Sequence, residues 1–126
     1  MAFRVQLREH GGVAGIQRSV ALEGGRLRVL DRGEVRAEKD LPPEALRTVE
    51  SLVKALEDIG PRRSYGQVRY ASDILTTELS IFDDSKGLKV EVVSDPTDPA
   101  PSQFWDVVND LRKLRRMGIQ TKVADA

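Results

Sequence analysis

The residue types that could do chemistry are few in this chain. Its sole histidine, His10, follows Glu9 and precedes the stretch Gly11-Gly12-Val13-Ala14-Gly15-Ile16. A histidine beside a flexible segment is a candidate base or metal ligand. With no cysteine and no second histidine in 126 residues, the usual transition-metal sites cannot be completed, and His10 reads as a solvated loop residue. Carboxylates gather at Asp83-Asp84 and at Asp95 with Asp98. Oxygen-only sites of that kind hold calcium or magnesium, but neither pair has the spacing of a full cation loop, and turn and capping roles fit better.

The glycine stretch lacks the Gly-Lys-Ser/Thr ending of a phosphate-binding loop and is followed by alternating residues instead of a helix. No serine stands in a Gly-x-Ser-x-Gly elbow or an acid–histidine pattern. The densest basic run, Arg112-Lys113-Leu114-Arg115-Arg116, reads as a helix C-terminus, where cations complement the macrodipole. Trp105 stands about 100° around that helix from Phe104, at the margin of its apolar stripe, and reads as core edge. The chain is therefore expected to be no enzyme, to need no metal or cofactor, and to act by binding another protein.

Composition agrees. Twenty basic and 20 acidic residues cancel, so no global charge draws the chain to nucleic acid or anionic lipid. The N-terminal segment Met1 to Arg8 carries Arg4 and Arg8, alternates polar with apolar residues and offers no apolar core for a signal peptide or membrane span, which points to the cytoplasm. At 40% apolar and 32% charged residues, the chain has the composition of an ordinary folded domain.

The elements that must position any site follow from hydrophobic period. Phe3, Val5 and Leu7 alternate with polar residues, predicting a strand to about Arg8. Alternation resumes through Ile16, Arg18, Val20 and Leu22, turns at Gly24-Gly25, and turns again at Asp31-Arg32-Gly33. Leu46, Val49, Leu52, Val53, Leu56 and Ile59 share one face of a helix opened by Pro42-Pro43-Glu44 and closed by Gly60-Pro61. Period two returns from about Gln67: Val68 and Tyr70, then Leu75 to Ile81, then Leu88 to Val92. A proline-rich stretch, Asp95 to Pro101, leads into a second helix buried through Phe104, Val107, Val108, Leu111 and Leu114 and ended by Met117-Gly118. The order β-β-β-(β)-α-β-β-β-α predicts an α+β fold, an antiparallel sheet with two amphipathic helices on one face. Residues 1–118 form one domain on this reading, with 119–126 as a frayed tail.

One run says more. Arg8-Glu9-His10-Gly11-Gly12-Val13-Ala14-Gly15-Ile16-Gln17-Arg18 resembles the start of the emfourin family, the protealysin-associated inhibitors. The resemblance covers 11 residues; beyond it the chain agrees in size, in its mixture of strands and helices and in its terminal amphipathic helix. It implies a proteinaceous inhibitor of a bacterial thermolysin-like zinc metalloprotease that reversibly occludes the active-site cleft, with the zinc belonging to the enzyme. The implied contact residues are Arg8, Gly11, Gly12, Val13, Ala14, Gly15, Ile16 and Arg18, with the loops at Tyr65 and Pro96 to Pro101 as neighbours. The rival reading is a non-catalytic adaptor whose Trp105 helix or Arg112 to Arg116 run binds a protein or RNA.

Overall fold

The computed structural model describes residues 3–11, 15–59, 62–66, 75–83, 86–93 and 98–124. Seven strands form one sheet: β1 (Phe3–Gly11), β2 (Ile16–Glu23), β3 (Arg26–Asp31), β4 (Glu34–Asp40), β5 (Ser64–Tyr65), β6 (Leu75–Asp83) and β7 (Lys86–Val93). Their spatial order is β4-β3-β2-β1-β6-β7-β5, antiparallel throughout except that β5 runs parallel to β7. Two helices, α1 (Pro43–Leu56, continued by a short 3₁₀ turn at Glu57–Ile59) and α2 (Ser102–Ala124), cover one face.

Local chemistry accounts for most of this. Gly24 and Gly25 hold φ of 57° and 80°, the left-handed pair that a tight two-residue hairpin requires. Pro43 opens α1, Glu44 lies in its first turn and Lys54 in its last, each charge complementing the helix dipole. The predicted helix faces hold: Val49, Val53 and Leu56 are buried, as are Phe104, Val107, Val108, Leu111 and Leu114. The outer strand β4 alternates charge along its edge, and β5 at the other edge has two residues, so neither offers a long apolar template to another sheet.

Strand registers arrange the covered face in rows. Leu27, Leu22, Val5, Ile81 and Leu88 lie side by side across the sheet. Two residues along come Ala37, Val29, Val20, Leu7, Leu79 and Val90. The third row, toward the β1–β2 connection, is polar in its middle: Asp31, Arg18, Glu9, Thr77, Val92 and Tyr65. Between Val29 and Leu30 the β3–β4 register shifts, leaving Arg36 as a bulge residue.

The structure differs from the sequence expectations at three places. Strand β1 does not stop at Arg8 but runs to Gly11, with Glu9 in an inward position. Helix α2 does not end at Met117-Gly118; it continues to Ala124. Gly118 serves there as a close-approach residue, because a Cβ on it would sit 3.6 Å from Leu27 Cδ2, 3.8 Å from Val29 Cγ2 and 3.9 Å from Ala37 Cβ. Third, Ser64–Tyr65 forms a strand where the periodicity gave none, fixed by the Glu91 amide donating to the Arg63 carbonyl at 2.9 Å. The strand expected at Val68 and Tyr70 lies outside the described residues, as do Gly60-Pro61 and residues 95–97 of the proline-rich stretch.

Those Gly118 distances yield a prediction. A single methyl meets ordinary van der Waals contact, so Gly118→Ala should stabilise the fold by about 0.5–1 kcal/mol through helix propensity. Gly118→Leu should instead overpack against β3 and destabilise it by about 1–3 kcal/mol. Urea denaturation of both variants checks this; a leucine variant as stable as the alanine one would mean that α2 does not pack closely here.

Candidate functional site

The inward positions of β1 are alternate residues, and after Val5 and Leu7 the next is Glu9. Its side chain is 2% exposed. A buried carboxylate is tolerated only with charge and hydrogen bonds around it, and the third row and α2 supply them. Arg112 donates from Nη2 to Oε2 at 2.8 Å and from Nε to Oε1 at 3.3 Å, a two-pronged contact between residues 103 apart in sequence. Arg18, directly across from Glu9 on β2, brings its Nε to 3.6 Å from Oε1. The Arg112 guanidinium also lies 5.7 Å from the Trp105 ring centre, and Trp105 packs edge-on to buried Phe104. Core edge is therefore the place of Trp105, partly buried against the main cluster.

Burial, the largest single influence, pushes the Glu9 carboxyl up. The Arg112 hydrogen bonds and charge, joined by Arg18, outweigh it and hold the group below the ordinary carboxylate range. Arg115, one turn beyond Arg112, is pushed down by burial first and by the Arg18 charge second, with Glu9 and Asp31 opposing. So the basic run expected at a solvated helix end lies mid-helix, and Arg112 at least is committed to the interior.

The glycine connection is the tip of the β1–β2 hairpin that this cluster braces. Gly11 (φ 103°) closes β1, Gly15 (φ 62°) is exposed, and Ile16 begins β2, while Gly12, Val13 and Ala14 lie outside the described residues. Beside the tip sits the β3–β4 turn, whose Arg32 amide donates to the Gln17 carbonyl at 2.7 Å. Arg8 and Arg18 part company: Arg18 joins Glu9 on the helix side, whereas Arg8, 62% exposed, lies on the open face with its Nη1 3.8 Å from Glu78. His10 is a strand residue, not a loop residue, and its Nε2 is 3.8 Å from the same Glu78 carboxylate.

Of the expected neighbours, Tyr65 shares the polar row but stands three strands from β1, about 14 Å at ordinary strand spacing. Arg62 stacks 4.5 Å from the Tyr65 ring centre, and Asp98 accepts from Arg62 and from the Gly66 amide at 2.7 Å. The Gly66 hydrogen bond first, and Arg62 second, hold Asp98 below its ordinary range. Among the described residues no cluster of three potential metal ligands occurs, and no helix is long and apolar enough to cross a membrane. The sequence signal for the glycine tip was local; Glu9, Arg32 and Arg112 carried none beyond being charged.

The clamp makes stability depend on pH in a defined direction. A carboxyl whose folded pKa is depressed contributes stability above its unfolded pKa, about 4.3, and loses it as pH falls through the folded value. Glu9→Gln should cost about 2 kcal/mol at pH 7, less than a fully buried pair because Arg112 keeps some solvent contact. In denaturation curves from pH 7 to pH 3 the gap between wild type and variant should narrow below about pH 4.3; a constant gap would show that the Glu9 charge contributes nothing.

Compared with known proteins, the chain matches no family model and no curated sequence.

Proposed function

We propose that this chain is a non-catalytic proteinaceous inhibitor of a thermolysin-like zinc metalloprotease and works by reversibly occluding the enzyme's active-site cleft. The observation that carries the reading is the run Arg8 to Arg18 with its place in the fold. It resembles the emfourin family's opening segment, and its described ends, Arg8 to Gly11 and Ile16 to Arg18, form the two paired stems of a hairpin at one end of the sheet. Both stems are braced just behind the tip, by Glu9 with Arg18 and Arg112 on one side and by the Arg32 amide on Gln17 on the other.

Such bracing suits an inhibitor. A loop that enters a cleft loses affinity to whatever ordering it must undergo on binding, and stems fixed by folding reduce that loss. Glycines at the tip bring backbone close to an opposing surface without side-chain bulk. The adaptor reading has less to work with, since Trp105 packs against the core and Arg112 is engaged by Glu9.

Titrating the purified chain into a thermolysin-like protease with a fluorogenic peptide should abolish hydrolysis reversibly. Gly12→Trp, which adds bulk at the tip, should weaken inhibition at least about tenfold, equal to 1.4 kcal/mol, with an unchanged far-UV spectrum. Full protease activity at about 10 µM chain, a weak-affinity ceiling, across several such enzymes would overturn the proposal.

A further inference from the structure

Two concavities on the open face of the sheet differ in one respect. The first, about 210 Å³, is lined by Ala21, Glu23, Arg26, Arg28 and Glu38. Its arginines are already used: Arg26 donates to Glu38 at 2.8 Å and to Asp40 at 3.0 Å, and Arg28 to Glu38 at 3.3 Å. The second, about 280 Å³, lies beside the glycine tip and includes Arg8, His10, Gln17, Ser19, Arg32 and Gly33 in its lining. The one acid lining it, Glu9, is bound to Arg112 of α2.

Its cations are not spent in the same way. Arg8 and His10 share Glu78, each at 3.8 Å and so beyond hydrogen-bond length, and Glu78 also faces Lys89 at 3.6 Å. Glu91, directly opposite Glu78, lies on β7, two strands away from β1. Arg32 is exposed and has no ion pair among the described residues. It also holds φ of 53°, the only non-glycine among the described residues with a positive φ. That conformation is costly for a residue with a Cβ, and the first central position of such a turn favours Asn, Asp or Gly. Strain retained on an unpaired, exposed cation is the pattern of a site kept for something outside the fold.

We propose that this cleft binds a carboxylate, with Arg32 and Arg8 as its donors, and that its occupant is an acidic side chain of the protease beside the cleft entered by the glycine tip. The occupant rests on the inhibitor reading; the carboxylate site does not. Charge complementarity selects it: arginine presents paired N–H groups that match a carboxylate, and the lining offers His10, Gln17 and Ser19 as further donors.

The test uses the full chain at low salt, followed by amide NMR. Acetyl-Glu-Glu-Glu-amide should shift the amides of Arg8, Gln17 and Arg32 saturably, while the Gln-Gln-Gln counterpart should not. Arg32→Gly relieves the backbone strain, so it folds at least as well, and should raise the peptide's Kd about tenfold or more. Equal shifts from both peptides, no saturable shift, or an unchanged Kd in Arg32→Gly overturns the site. Inorganic phosphate saturating the same amides at lower concentration than the peptide overturns the protein carboxylate as occupant. In the protease assay, wild type and Arg32→Gly inhibiting equally would remove the cleft from the interface and leave the inhibitor reading intact. A wild type that inhibits nothing yet binds the acidic peptide would do the reverse.

Discussion

A carboxylate facing inward from the central strand constrains this molecule more than any other single group. Glu9 occupies the next core position after Val5 and Leu7, where an unpartnered charge would oppose folding by several kcal/mol. Its partners come from β2 and from α2, so the first hairpin and the last helix must both be in place before the charge is satisfied. Apolar rows supply most of the driving force, and they are tolerant of small slips along α2. The ion pair is not: moving α2 back by one turn would bring Val108 to the place of Arg112 and leave Glu9 with Arg18 alone. The strand register is fixed as firmly, since a one-residue slip of β1 would bury Arg4, Gln6 and Arg8.

That constraint also divides the arginines into two populations. On the helix side, Arg112 and Arg18 are held by Glu9 and serve the fold. On the open side, Arg26 and Arg28 are neutralised by Glu38 and Asp40, and as exposed pairs they add little to stability. Near the glycine tip, Arg8 meets Glu78 only at 3.8 Å, and Arg32 has no ion pair among the described residues. The sheet thus acts as a partition: the covered face settles the position of the hairpin, and the open face next to the tip is where charge remains available.

Much of the fold was legible because it is periodic. Alternation in β1 to β3 and the three-to-four spacing in both helices place the apolar residues where the structure buries them. The failures share a cause, which is that the deciding contact is remote in sequence. Glu9 breaks the apolar alternation, so periodicity alone ends the strand at Arg8, although its partner 103 residues away makes an acid admissible there. Gly118 looked like a helix end because its neighbours Leu27, Val29 and Ala37 are invisible to a local window. Ser64–Tyr65 has too few residues to show any period and is a strand only because β7 is beside it. At the candidate site, the glycine tip was visible as composition and as a family resemblance; the Arg32 cleft was not, because Asp31-Arg32-Gly33 reads only as a turn until the hairpins are laid side by side.

A net charge of zero gives a further reason to treat the cleft as directional. With 20 cations and 20 anions, a local surplus at the tip end must be balanced by a deficit elsewhere. Helix α1 and its 3₁₀ turn carry Glu44, Glu50, Glu57 and Asp58 against Arg47 and Lys54, all six exposed, on the other side of the sheet from the cleft. The start of α1 adjoins the β2–β3 turn, at the opposite end from the tip, where a Cβ on Gly25 would sit 3.8 Å from Leu46 Cδ2. An approaching partner therefore meets the cations lining the cleft on the open face and the acidic surface of α1 on the covered side. Because such fields act over about a Debye length, roughly 8 Å at physiological salt, they orient the final approach instead of attracting from afar. A chain with no overall charge can still be selective in this way about which face it presents, and an acidic partner surface would favour the cleft beside the tip over the acidic surface of α1.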